Sequence, residues 1–447
     1  MKKDINNILQ GFLKTAGRQL GSGLIQLLTI ILISRNYGPE GSGSYIVITL
    51  LPITLANFFN MGIGSANIYY IGSRKFSLEQ VVPGMFRVGY VASVVGFIIG
   101  AGVITFGSEN LFPNIDKNFL YLSLSILPFL IFNQYIISVF QAIQDFKKYN
   151  LLLLIQPFLM FFFVSTLTIL ENKSIYNLIY ALIASSLSCF VLSLYYLSKL
   201  KRKGCSSKKN TYIKPALNYG IKAHISNMVA FVNNKADIYF VSILLNPASV
   251  GFYTIAVQFS EKIWIVSQAL STVLLPKLSE LTDDEYRKKE IVLAISKLVF
   301  YITSLISIFV AIVAKYMILF FFGEEFYPAV EPLIYLLPGV IFMTVARVLA
   351  NDLSSRGRPE LNMYTSVVII ITNVLGNLIL VPIYGISGAA MSTSFSYIFN
   401  CILRCLMYRH YTKINILDLF IPSRNDFHNI RSSLSKGIKA LKNKSDL

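Results

Sequence analysis

Apolar stretches long enough to cross a bilayer recur from end to end of this 447-residue chain, and they constrain its fold more than any motif does. They fall at 12–33, 45–70, 82–106, 119–141, 149–170, 174–198, 215–244, 250–274, 292–320, 329–352, 363–381 and 386–408. The chain is 54% hydrophobic and only 14% charged, too apolar for a soluble domain of this length. A membrane β-barrel would need short segments of alternating polarity, whereas these are long and continuously apolar. The expectation is an all-α integral membrane protein of about twelve transmembrane helices, in two six-helix bundles around a central cavity. Met1-Lys-Lys gives a basic start, but Asn6, Asn7 and Gln10 interrupt the following stretch and no small-x-small cleavage site follows. The first helix is expected to be retained.

Lysine and arginine in the connections set the orientation. Lys2, Lys3, Lys14, Arg74, Lys75, Lys147, Lys148, the basic 199–214 segment, Lys277, Arg287–Lys289, Arg356, Arg358 and the tail from Arg409 all fall on one side. The other side carries only Arg35, Lys117 and Lys173, with Glu324 and Glu325. That bias alternates connection by connection and predicts cytoplasmic termini. The net charge of +18 follows largely from it, so the basic residues point to anionic lipid and not to nucleic acid.

The basic segment divides the chain into 1–198, the linker 199–214, 215–410 and the tail 411–447. The two halves echo each other. Pro39, Gly43 and Tyr45 match Pro247, Gly251 and Tyr253 at one constant offset. Repeats of this kind build alternating-access transporters. Pro52, Pro128, Pro157 and Pro338, with Met61-Gly-Ile-Gly-Ser-Ala, suit either bending or close packing of helices.

Ionisable groups inside apolar stretches are costly and face a polar cavity or a partner charge. Arg18, Arg87, Lys222, Lys235, Asp237, Glu261, Lys262, Arg347 and Asp352 are such groups. Arg87 is expected to snorkel to the interface. Asn218, Lys222 and Ser226 recur every four residues, and Asn233 with Asp237 forms a second stripe, so 215–244 is expected to line a cavity wall. Asn57 and Asn60 add polar groups in the first half. The cationic set Arg18, Lys222, Lys235, Lys262 and Arg347 suits an anionic substrate group. Asp237, Glu261 and Asp352 are candidates for charge balance or for a coupling ion, proton or sodium.

Cys189, Cys205, Cys401 and Cys405 have no metal-ligand spacing, and His224, His410 and His428 are isolated. No phosphate-binding glycine loop, metal-spaced His/Glu pair or nucleophile elbow is present, so no catalytic site and no cofactor are expected.

The segments Leu32-Ile-Ser-Arg-Asn-Tyr-Gly-Pro-Glu-Gly-Ser-Gly-Ser-Tyr, Asn246-Pro-Ala-Ser-Val-Gly-Phe-Tyr and Asn377-Leu-Ile-Leu-Val-Pro-Ile-Tyr-Gly-Ile-Ser-Gly-Ala-Ala-Met-Ser-Thr393 give the chain its family likeness. It resembles the O-antigen and capsule repeat-unit flippases of the multidrug/oligosaccharidyl-lipid/polysaccharide exporter superfamily. The resemblance implies movement of an undecaprenyl-diphosphate-linked oligosaccharide to the outer leaflet of a bacterial inner membrane. Lipid-linked oligosaccharide, membrane lipids, and a polysaccharide polymerase with its glycosyltransferases are the implied partners. Alternatives are a drug or metabolite antiporter of the same superfamily, which would want a more acidic cavity, and a membrane glycosyltransferase or polymerase, which would need an acidic catalytic constellation in a large loop.

Overall fold

The computed structural model describes residues 2–171, 173–200, 212–280 and 284–421. Every described element is helical. In chain order these are α1 (Lys2–Phe59), α2 (Ile63–Gly72), α3 (Leu78–Leu111), α4 (Lys117–Leu124), α5 (Leu127–Ala142), α6 (Phe146–Ile169), α7 (Ile175–Ser198), α8 (Ile213–Leu244), α9 (Pro247–Glu280), α10 (Glu285–Phe322), α11 (Val330–Ser355) and α12 (Pro359–Thr412). Short 3-10 turns at Glu324–Ala329 and Ile416–Leu419 complete the set.

Among the described residues, eight helical stretches are long and apolar enough to cross a membrane, against the twelve expected from the sequence. The difference has physical causes. Gly21–Phe59 forms one such stretch, and Glu360–Thr412 another, where the sequence suggested two spans each. The backbone bends inside them at Gly38 (φ 67°, ψ −174°) and Gly385 (φ 59°, ψ −137°), while hydrogen-bonded helix continues on both sides. A side chain at Gly38 would be strained there, because L-residues rarely adopt that backbone. The expected connection at Tyr37–Tyr45 is therefore a sharp bend rather than a loop. α8 is 32 residues long but carries the polar stripe, and it is not among the eight.

The helices run on through Pro52, Pro157 and Pro338 without a non-helical residue. Pro128 lies in the first turn of α5, where its missing N–H has no helical partner to lose.

The chain forms two compact units. The first comprises Met1–Ile255, Tyr316–Ala329 and Val381–Ala389, and the second Ala256–Lys315, Val330–Leu380 and Ala390–Leu447. In the first, α1 packs on α6 and α3, and α5 on α2, α3 and α7. Ile33, Met160, Val164, Leu178 and Ala181 form a core cluster where α1, α6 and α7 meet. Arg35, on the sparsely charged side, donates to the carbonyls of Phe320 and Phe321 and so satisfies the last turn of α10. In the second unit, Leu278, Val292, Val299, Val345, Leu349, Cys401 and Cys405 belong to one buried cluster. Outer faces are apolar: Tyr90, Ile98 and Phe106 on α3, Leu305, Phe309 and Ile312 on α10, and Leu375, Ile379 and Ile383 on α12 are exposed. Small polar residues such as Ser93, Ser108, Ser185 and Ser186 face inward instead, as in bilayer-embedded bundles.

Candidate functional site

The site in the first unit begins with a break in the chain. After Phe59 the helix stops, Met61 and Gly62 turn through the left-handed region, and α2 starts at Ile63. Asn60 stabilises that turn, because its Oδ1 accepts the Gly62 N–H at 2.8 Å and its Nδ2 donates to Gln134 Oε1 at 3.3 Å. The turn lies directly against α8: a Cβ on Gly62 would stand 2.1 Å from the Gly220 carbonyl oxygen. This approach of two glycines sets Asn218, Tyr219 and Lys222 beside Tyr69 and Tyr70.

Further bonds fix the register. The Tyr212 hydroxyl donates to Asn67 Oδ1, and Asn67 Nδ2 donates to Ser138 Oγ at 2.9 Å. His224 Nε2 lies 2.9 Å from the Phe58 carbonyl, so it carries the proton. Tyr239 and Thr54 share a 2.6 Å bond between α8 and α1.

An open cleft of about 520 Å³ results, lined by Tyr70, Lys214, Pro215, Asn218, Tyr219 and Lys222. Tyr69 and Tyr219 stack with centroids 4.4 Å apart and planes at 9°. Tyr70 meets Tyr219 at 5.9 Å and donates its hydroxyl to the Pro215 carbonyl at 3.2 Å. Lys75 Nζ donates to Tyr69 Oη at 2.9 Å, and that bond holds its ammonium above the usual lysine range. The cleft thus joins aromatic faces to two lysines of α8, with Lys75 beside the tyrosine stack. Such a surface can take the C–H face of a sugar ring and the oxygens of a phosphate.

The polar stripe divides along α8. Asn218 and Lys222 are exposed at the cleft, whereas Asn233 and Lys235 are half-buried further along. Asp237 is buried, with Oδ2 accepting from the Tyr253 hydroxyl at 2.6 Å and Oδ1 from the Ile238 N–H at 2.8 Å. Asn57 donates to the Ile53 carbonyl of its own helix, and Arg87 is exposed. The side chains of Arg18 and Ser226 lie outside the described residues. Cys205, His428, most of the 199–214 linker and most of the 411–447 tail also lie outside them.

In the second unit, Glu261 and Lys262 are half-buried on α9. Arg347 places its guanidinium 5.2 Å from the Trp264 ring. Asp352 is fully buried and held by Arg356 Nε at 2.7 Å. Buried Cys401 and Cys405 have sulfurs 4.0 Å apart, and among the described residues no group of His, Cys, Asp and Glu could hold a metal.

Lys214, Tyr69, Tyr70, Tyr219 and Arg404 were not singled out by the sequence. Arg404 obeys the same rule as the others, an ionisable residue inside an apolar stretch. The tyrosines carry no such mark.

Comparisons agree with this architecture. The chain overlays an inward-closed structure of the lipid II flippase MurJ with a TM-score of 0.74 at 16% identity, covering 91% of this chain and 88% of that one. An inward-facing multidrug resistance MATE family transporter of the MOP superfamily gives 0.72 at 15% identity, covering 88% and 94%. In sequence, the chain is 27% identical over 270 residues to a probable low-salt glycan biosynthesis flippase, Agl15, of Haloferax volcanii, covering 58% of this chain and 54% of that relative. A putative O-antigen transporter of Shigella flexneri is 22% identical over 86% of this chain and 94% of its own length. The capsular polysaccharide biosynthesis protein CapF of Staphylococcus aureus is 22% identical over 84% and 92%. The family model described as "Polysaccharide biosynthesis protein" matches residues 32–331, most of the chain, and the protein belongs to that family.

Proposed function

We propose that this protein is a flippase that moves undecaprenyl-diphosphate-linked oligosaccharide from the inner to the outer leaflet of a bacterial cytoplasmic membrane for surface polysaccharide assembly. The observation that carries the reading is the cleft in which Lys214 and Lys222 stand beside tyrosine faces. It offers a phosphate-binding charge and a sugar-binding surface together. The relatives named for O-antigen transport, glycan flipping and capsule synthesis support the same cargo class.

In this reading the chain crosses the membrane twelve times. α1 and α12 each cross twice about Gly38 and Gly385, and α8 and α9 cross despite their polar residues. The halves 1–198 and 215–410 form two six-helix bundles, with the linker 199–214, the tail 411–447 and both termini cytoplasmic. Lys222, Lys235, Lys262, Arg347 and Arg18 serve the diphosphate and sugars by alternating access. Asn57, Asn60, Asn218, Ser226 and Asn233 line the path. Asp237, Glu261 and Asp352 balance charge or take part in ion coupling by H+ or Na+. A polymerase and glycosyltransferases act on either side of the transport step.

The test is a Lys214→Ala, Lys222→Ala double variant in cells that depend on this protein for their surface polymer. Losing two charge-assisted contacts, each worth about 1.5–3 kcal/mol, is expected to weaken cargo capture by tenfold or more. Lipid-linked repeat units should accumulate in the cytoplasmic leaflet at unchanged protein level. Normal polymer and no accumulation would refute the cleft's role.

A further inference from the structure

In the second unit the chain turns back where α12 ends. Lys413 adopts a left-handed backbone (φ 60°) that stops the helix, and its N–H still bonds the Arg409 carbonyl at 2.9 Å. Tyr408, one turn before that stop, has its ring 6.0 Å from the Arg356 guanidinium at the end of α11. Phe420 instead meets Phe342, which lies about 21 Å back along α11 at 1.5 Å per residue. The segment Ile414–Ile421 therefore runs back over the bundle. Leu419, 1% exposed, joins the buried cluster that α10, α11 and α12 share. The Phe420 ring packs on Phe300 at 5.2 Å, and its carbonyl accepts from the Tyr301 hydroxyl at 2.8 Å.

This returning segment is apolar on both sides. Ile414, Ile416 and Phe420 pack against the cluster, while Leu417 and Ile421 are 58% and 56% exposed. A segment that served packing alone would turn polar side chains outward at those two positions. Its backbone closes hydrogen bonds of its own: Asn415 Oδ1 accepts the Leu417 N–H at 3.4 Å, and the Leu417 carbonyl accepts from Phe420 and Ile421 at 3.0 and 2.8 Å. Non-helical chain beside hydrocarbon needs such bonds. The level is also marked. Tyr301, 47% exposed, stands four residues past Lys297, where α10 begins a run with no charged residue before Lys315. Tyrosine at the edge of an apolar run is typical of the membrane–water interface. Through Tyr301 the segment continues the exposed apolar face that Leu298 and Leu305 begin on α10. Arg409 and Lys413, both exposed, bring positive charge to its other end, which suits lipid headgroups.

We propose that Lys413–Ile421 is an interfacial membrane anchor whose partner is the lipid surface at the basic end of the bundle. The segment lies in the headgroup layer, Leu417 and Ile421 enter the acyl boundary, and the adjoining parts of α10, α11 and α12 are thereby tied to the bilayer surface. Apolar insertion, aided by positive charge near the headgroups, is how amphipathic segments hold to such a surface. The anchor is independent of the cargo. The proposed orientation enters only in naming the leaflet as cytoplasmic.

The chain contains one tryptophan, so Trp264→Phe clears the background for a single reporter. In that full-length background, Leu417→Trp, Ile421→Trp and Asn415→Trp are each placed in nanodiscs of phosphatidylcholine and phosphatidylglycerol. Emission is then quenched from two sides, by lipid brominated in the upper part of its acyl chains and by iodide in the water. Bromolipid quenching is expected to be at least about twofold stronger at Leu417→Trp and Ile421→Trp than at Asn415→Trp, with the iodide order reversed. Both test positions are exposed, so a tryptophan meets no packed core there. A monodisperse elution profile shows that each variant is folded, and either of the two gives the reading if the other does not fold. Iodide quenching at both positions as strong as at Asn415→Trp, with no bromolipid preference, would place the segment in water and overturn the proposal. Protection of both positions from both quenchers would place them under protein, such as a second copy of the chain, and would overturn it equally.

Discussion

Replacing Gly43 with alanine is expected to prevent stable folding of the first unit. A Cβ there would lie 1.7 Å from the Pro247 carbonyl oxygen and 2.6 Å from its carbon. Both are backbone atoms, so no side chain can swing aside. Gly251 meets the reciprocal obstacle, with its added Cβ 2.5 Å from the Pro39 carbonyl oxygen. The glycines that match between the two halves of the sequence are thus the residues that let the Pro39 and Pro247 segments touch. Overpacking a tight contact costs about 1–3 kcal/mol, and a clash with fixed backbone belongs at or above the top of that range. Gly43→Ala and Gly251→Ala should each lower the melting temperature sharply or abolish recovery of monodisperse protein. Gly102→Ala, where an added Cβ meets nothing within 4 Å, should melt like the wild type. Wild-type melting of Gly43→Ala would show that this contact is not formed.

Asp352→Asn is the second large expected loss. Asp352 is fully buried, accepts from Arg356 Nε at 2.7 Å and faces Lys288 Nζ at 4.0 Å, with Lys288 itself 2% exposed. Arg356 reaches on to Glu285, with Nη1 2.8 Å from both carboxylate oxygens. Burial disfavours the charge of Arg356, but its bonds to Glu285 and Asp352 outweigh that and raise its pKa above the ordinary value. The cluster ties the start of α10 to the end of α11. Removing the buried carboxylate takes away the nearest countercharge of Lys288 and leaves only Glu285 acting on it, and breaking a buried pair typically costs about 3–5 kcal/mol. Thermal unfolding of purified Asp352→Asn should show it. Lys288→Met in the same chain should recover part of the loss, because the two changes share one interaction. A single variant as stable as wild type, with no recovery in the double, would contradict this.

The sequence and the structure agree where burial follows from composition. Apolar stretches became helices, and Asn218 and Lys222 of α8 border an open cleft. Asp352 was recognisable as a group that needed a partner, and Arg356 stands four residues on, a spacing the sequence displays, whereas Lys288 pairs from another helix and leaves no periodic trace. Tyr69, Tyr70 and Tyr219 escaped notice because aromatic residues in apolar stretches look the same whether they face lipid, core or cleft. At Gly38 and Gly385 the spans that hydropathy separates meet at a single non-helical residue, a kink that hydropathy does not register. Arg404 was legible by the same rule as Arg347.

The central claim is leaflet-to-leaflet movement of a lipid-linked glycan. Its most direct measurement uses liposomes containing the purified protein and a fluorescent saccharide on a short prenyl diphosphate. The account predicts that probe in the inner leaflet becomes accessible to a membrane-impermeant quencher over time, and that this slows in the Lys214→Ala, Lys222→Ala variant. Quenching that stops at the outer-leaflet fraction, as in protein-free liposomes, would contradict it.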